Sequence, residues 1–225
     1  MTAFEMPPVK TQSAAPVKPV DMAAIARAAA ILEAGGLVAM PTETVYGLAA
    51  DADQEAAVTA TYRAKGRPLN HPLIVHVASA DDIPWWAEIT PEAQKLADRY
   101  WPGPLTMVLK KKPRCGSWVT GGQDTVALRC PSHPWAHALL AAYGGPKHRG
   151  LTAPSANSFG RISPSTAQHV REDLGEKPAG KLDLILDGGP CKFGIESTMI
   201  NLSGSRPEIL RHGVITRATV SYTHL

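Results

Sequence analysis

Residues 62–77 read YRAKGRPLNHPLIVHV, and how this stretch divides decides the fold class. Its first five residues complete the run QEAAVTATYRAKG (54–66), whose alanines favour a helix. Gly66 suits the close of that helix, because glycine enters the left-handed conformation without steric cost. After a connection stiffened by Pro68 and Pro72, LIVHV (73–77) is rich in β-branched side chains and reads as a strand. A helix delivering the chain into a strand through a short loop is the repeating unit of an α/β domain.

The alternation continues on both sides. DMAAIARAAAILEAGG (21–36) reads as a helix with Asp21 at its N-cap and Gly35 or Gly36 at its end. LVAM (37–40) makes a short strand running into PTETVYGLAADAD (41–53), which must turn. TPEAQKLADRYW (90–101) starts with Thr at the N-cap and Pro at the first helical position. LTMVLKK, TVALRC, LTAP, LDLILD, STMINL and EILR each read as short strands, and PWAHALLAAY and STAQHVREDLG as helices between them. The expectation is one α/β domain with a twisted mixed sheet flanked by helices, over residues 21–216. The Pro-rich residues 1–20 are expected to be disordered, and 217–225 form a short tail.

Composition narrows the functional classes. The chain has 225 residues, 44% of them hydrophobic and 19% charged, as in globular domains. A net charge of +3, from 23 Lys+Arg and 20 Asp+Glu, is too small to argue for nucleic acid by itself. Cys115, Cys130 and Cys191 are odd in number and widely spaced, which implies reduced thiols and a cytoplasmic location. No apolar run reaches membrane-spanning length, so no membrane contact is expected.

Arg63, Lys65, Arg67 and His71 crowd the helix end and its loop. Three obligate cations this close repel one another, and a multivalent anion offsets that cost. The alternative is a solvated basic helix end that complements the helix dipole. LTAPSANSFGRIS (151–163) supplies Ser155, Asn157, Ser158 and Ser163 as neutral donors, with Gly160 allowing close backbone approach. Its bland reading is a polar connection in which Ser163 caps the next helix. Together the two segments suit the charged and neutral walls of one nucleotide site. Glu43, in PTETV, is a base, a metal ligand or a turn acid, and Arg129 is either a buried partner for a carboxylate or a surface residue.

Walker-type, G-x-G-x-x-G, kinase and G-x-S-x-G motifs are absent. His133 and His137 stand four apart without HEXXH, so no metal ligand set is read.

PTETVYGLAADA, KGRPLNHPLIVHV, WPGPLTMVL, TVALRCPSHP, TAPSANSFGRISPS, DGGPCKFGIESTMINL and EILRHGVIT occur in this order and are spread along residues 21–216. Together they resemble the YrdC-like family of threonylcarbamoyl-AMP synthases. The resemblance implies a single YrdC-like domain with a concave, basic cleft. It implies that L-threonine, bicarbonate or CO2 and ATP give threonylcarbamoyl-AMP and pyrophosphate. A downstream threonylcarbamoyl transferase complex would then modify tRNA beside the anticodon. By motif, Thr42, His71, Arg129, Ala153 and Ser197 would line the threonine side, and Ala153 could contribute only backbone atoms. Arg63, Arg67, Thr125, Ser155, Ser163 and Arg211 would meet ATP, with Lys65 and Asn157 supporting its phosphates. Arg63, Lys65 and Arg67 would be the catalytic cations, and Mg2+ would accompany ATP as substrate.

Longer family members continue past the equivalent of ILRHGVIT (209–216) into a linker and a second domain, neither of which RATVSYTHL (217–225) resembles. Two rivals remain. A non-catalytic module binding double-stranded RNA or tRNA would use the same basic surface. The carbamoyl-adenylate step of hydrogenase maturation uses a related domain, but with acylphosphatase and zinc-finger segments not found here.

Overall fold

The computed structural model describes residues 16–216. Nine strands form one sheet among these residues: β1 (Val38–Met40), β2 (Gly47–Asp51), β3 (Ile74–His76), β4 (Leu105–Lys110), β5 (Thr125–Arg129), β6 (Leu151–Thr152), β7 (Leu184–Ile185), β8 (Thr198–Asn201) and β9 (Glu208–Arg211). Their spatial order is β7-β1-β2-β6-β3-β5-β4-β8-β9. The pairs β1–β7, β3–β5 and β4–β8 are parallel and the others antiparallel, so the sheet is mixed, as expected.

Seven α-helices flank it: α1 (Met22–Glu33), α2 (Glu55–Lys65), α3 (Ile83–Trp86), α4 (Pro91–Tyr100), α5 (Ser117–Thr120), α6 (Pro134–Tyr143) and α7 (Ala167–Asp173). The expected signals operate. Asp21 caps α1 by accepting from Ala23 N and Ala24 N, and Thr90 caps α4 by accepting from Ala93 N. Gly66 ends α2 in the left-handed conformation, φ 64°. The cap of α7 is Thr166, not Ser163, because Ser163 turns its hydroxyl to Glu196 instead.

The two-residue period of the strands builds the core on both faces. Val38, Met40 and Ala49 pack with Ile25 and Leu32 of α1 and Leu139 of α6. Their neighbours Ala39, Leu48 and Ala50 point the other way, against Ala57 of α2 and Val170 of α7. The far half of the sheet packs Val75, Met107 and Leu128 against Trp86 and Leu96. Each such large side chain contributes about 1.5–3 kcal/mol by leaving water.

Two expectations are corrected. The segment 41–53 does not turn throughout: its second half is β2, wholly buried between β1 and β6. Gly and Ala are weak strand formers, so this strand is imposed by its neighbours. A Cβ on Gly47 would lie 3.1 Å from Ala153 Cβ, which explains why so small a residue stands there. The expected disorder of 1–20 does not extend through 16–20, where Lys18 N donates to Gly188 O and Trp135 Nε1 donates to Lys18 O. Residues 1–15 and the 217–225 tail lie outside the described residues. No described helix is long and apolar enough to cross a membrane.

Candidate functional site

The carboxyl ends of the parallel neighbours β3 and β5 carry His76 and Arg129 side by side in register. A cavity of about 140 Å³ opens there, where open α/β sheets commonly bind ligands. The β1–β2 turn, the 67–74 connection, the loop after β6 and the strands β8 and β9 close its walls. Arg67 and Ser155 both line it, so the charged and neutral segments read from the sequence do meet.

The β1–β2 turn organises itself around Thr42. Its Oγ1 accepts from Thr44 N and Val45 N, both at 3.2 Å, and lies 2.6 Å from Val45 O, to which it donates. Beneath the turn the Arg129 guanidinium, 3% exposed, donates from Nη2 to Glu43 Oε1 at 2.7 Å and from Nη1 to Thr44 Oγ1 at 2.9 Å. Glu43 Oε2 accepts from Ser132 N at 3.1 Å. Of the two readings open for Arg129 the structure selects the buried partner of a carboxylate, and Glu43, read as a base, metal ligand or turn acid, is the other half of that ion pair and braces the PTETV loop.

His76 is 2% exposed, and its Nδ1 is buried without a partner. Burial and the charge of Arg129 push its imidazole down to about 3, so it is neutral at ordinary pH. The unfolded chain binds this proton near pH 6.5, so the stability at stake is full above 6.5 and is lost as pH falls toward 3. His76→Phe is therefore expected to flatten the acid limb. Between pH 6.5 and 5 the wild type should lose about 2 kcal/mol more than the variant in urea unfolding.

The 153–163 loop is pinned from below by Lys65. Its buried ammonium donates to the carbonyls of Ser155 and Asn157, and burial followed by the nearby Arg67 lowers its pKa to about 8. Asn157 Nδ2 donates to Ser158 O and Arg161 O, holding the same loop closed. Arg67 donates from Nη2 to Pro72 O at 3.0 Å and packs 5.9 Å from the Phe159 ring centre, while its buried Nε has no partner. On the opposite wall Arg211 donates from Nε to Ser197 O and from Nη2 to Ser197 Oγ, both at 2.9 Å.

The fold that carries these residues occurs in known proteins. The family model for Sua5, YciO and YrdC, described as telomere recombination, matches residues 30–213. The chain belongs to the Sua5/YciO/YrdC family. Over 187 residues it is 48% identical to the threonylcarbamoyl-AMP synthase of Pyrococcus abyssi, covering 83% of this chain and 53% of that protein. The Bacillus subtilis threonylcarbamoyl-AMP synthase is 46% identical over 198 residues, covering 87% of this chain and 55% of its own length. The chain thus spans about half the length of these curated relatives. Pyrococcus abyssi Sua5, solved in complex with L-threonine, superposes with a TM-score of 0.86 at 43% identity, over 92% of this chain and 58% of that one. Escherichia coli YciO shares the fold, with a TM-score of 0.75 at 23% identity and coverage of 88% and 93%.

Within this family fold, the residues named from the sequence divide. Thr42, Arg67, Arg129, Ala153, Ser155 and Arg211 line the common cavity. Ser197 and Ser163 stand just behind its wall, bonded to Arg211 and Glu196 respectively. His71 is not among the lining residues and stands edge-on to Phe159, with ring centres 5.4 Å apart. Lys65 and Asn157 are loop braces, with Lys65 Nζ and Asn157 Nδ2 each donating to two backbone carbonyls. Arg63 is not brought in: the helical twist turns it to a separate groove with Lys177, Lys181 and Asp183. Thr125 opens β5 while Arg129 closes it, about 13 Å away along the strand, so Thr125 also lies outside the cavity.

Sequence reasoning passed over His76 and Glu196. His76 did carry a signal, a polar residue inside the apolar strand run LIVHV. Glu196, in GIEST, had none that separates it from a surface acid. Among the described residues no group of three His, Cys, Asp or Glu could hold a metal, and His133 is occupied as the cap of α6, where its Nδ1 accepts from Trp135 N. The three cysteines are free and buried, which raises every thiol.

Proposed function

We propose that the chain makes threonylcarbamoyl-AMP and pyrophosphate from L-threonine, bicarbonate or CO2, and ATP, as a nucleotidyltransferase serving tRNA threonylcarbamoyladenosine formation. The observation that carries this reading is the meeting of Arg67, Ser155 and Arg211 with the Thr42 turn and His76 in one cavity. Its size argues for an amino acid within it: about 140 Å³ corresponds to about four or five waters and is too small for a nucleotide. ATP would therefore lie across the mouth, with its phosphates between Arg67 and Arg211.

In this reading the threonine amine adds to CO2, its nitrogen–carbon bond forming as a proton passes to solvent, and yields a carbamate. A carbamate oxygen attacks the α-phosphorus, and the bond from that phosphorus to the β-bridging oxygen breaks, releasing pyrophosphate. Two anions must approach, so the chain's tasks are alignment and charge neutralisation, and no covalent protein nucleophile is needed. Arg67 and Arg211 neutralise, Ser155 and the loop pinned by Lys65 orient, and neutral His76 offers a hydrogen bond without adding charge. Magnesium enters as part of the nucleotide substrate, because the lining residues offer a single carboxylate rather than a metal cage.

The deciding experiment is a pyrophosphate-release assay on the purified chain, with threonine, bicarbonate or ATP left out one at a time. Release only when all three are present is the expected outcome. Release without threonine and bicarbonate, or salt-sensitive RNA binding with no ATP consumption, would end the synthase reading.

A further inference from the structure

The cavity assigned here to anions contains one carboxylate, and neutralisation alone gives it no task. Glu196 lines the cavity with Arg67, Arg129 and Arg211. Its Oε1 accepts from Ser163 Oγ at 2.8 Å, and its Oε2 lies 3.7 Å from Arg211 Nη1. The same charge reaches Lys65 and Arg67 across the site. It therefore engages groups that a phosphate at the mouth would need. Unlike the Arg129–Glu43 pair, whose side chains are 3% and 5% exposed, Glu196 and Arg211 are each 34% exposed. Solvent can take over the Glu196 carboxylate if it is displaced, whereas it cannot reach Glu43.

We infer that Glu196 is a resident counter-anion, holding Ser163 and Arg211 in place while the site is empty and weakening the grip on pyrophosphate once it has formed. In the empty site its charge offsets the mutual repulsion of the cations. In the filled site the same charge repels the ligand, at a cost of about tenfold in affinity for a partly solvated pair. The site trades affinity for turnover, since a product held by every available donor leaves slowly. This rests on the synthase reading for the identity of the product, but the anion competition itself can be measured separately.

The probe is inorganic pyrophosphate, titrated by calorimetry into the full 225-residue chain with and without Mg2+. Glu196→Gln keeps the size of the side chain and an acceptor for Ser163 while removing the charge. It is expected to bind pyrophosphate about tenfold more tightly, to lower KM for ATP, and to lower kcat as product release slows. Glu196→Asp keeps the charge and is expected to bind as the wild type does. Unchanged or weaker pyrophosphate binding by Glu196→Gln overturns the inference, as does equal tightening in Glu196→Asp. Weakening confined to the Mg2+ titration overturns it too, by making Glu196 a metal ligand. Thermal melting of both variants separates these outcomes from loss of the fold. If the wild type binds pyrophosphate yet releases none from threonine, bicarbonate and ATP, the synthase reading fails while the competition between Glu196 and the anion stands.

Discussion

Arg67→Ala is expected to cut the proposed threonine- and bicarbonate-dependent pyrophosphate release by on the order of a hundredfold or more, about 2.7 kcal/mol of barrier. Arg67 spends one Nη2 donor on Pro72 O, which fixes the side chain, and leaves a buried Nε without a partner beside the cavity. A fixed guanidinium in a partly desolvated wall is what stabilises charge developing on a phosphoryl group. Arg67→Lys separates charge from shape. The ammonium restores a cation but not the planar fork or the packing on Phe159, so activity should return only in part. Near-wild-type release by Arg67→Ala would remove Arg67 from the chemistry. Because its carbonyl partner lies in the same loop rather than the core, the variant should keep its fold, and a circular dichroism melt checks this.

Glu43→Ala should have the largest effect on stability. Both members of the Arg129–Glu43 pair are almost wholly buried, so removing the carboxylate leaves an uncompensated guanidinium under the sheet end. Breaking such a pair from one side costs about 3–5 kcal/mol, whereas replacing both members with apolar residues is often near neutral. Urea unfolding should show that loss in Glu43→Ala, and the double variant Glu43→Leu/Arg129→Met should recover most of it. Activity should not recover with it. Thr44 loses the Arg129 donor, and the turn that presents Thr42 loses its brace. A single variant within about 0.5 kcal/mol of wild type would show that the pair is structurally idle.

Much of the architecture was legible because it is local. Asp21, Thr90 and Gly66 mark helix ends through hydrogen bonds and backbone conformations that need only a few neighbouring residues. Motif order carried the family, which the match over residues 30–213 bears out. The site was legible only as two halves. Arg63 and Arg67 look equivalent in RAKGR, yet one faces the Lys177 and Lys181 groove and the other the cavity. The difference arises because Gly66 ends the helix between them in the left-handed conformation, so the chain changes direction before Arg67. Glu43 likewise had three readings until the carboxylate was seen against a guanidinium 86 residues away.

What the sequence determined alone was most of the succession of helices and strands, the α/β class and the chemical types of the two walls, since these follow from side-chain size, polarity and short-range capping. Tertiary structure decided which of those residues share a cavity, which polar groups are already satisfied by the protein, and that β2 exists. Contacts of that kind join segments as far apart as Lys18 and Asp187, 169 residues along the chain. They depend on sheet order and strand register, which no local pattern specifies.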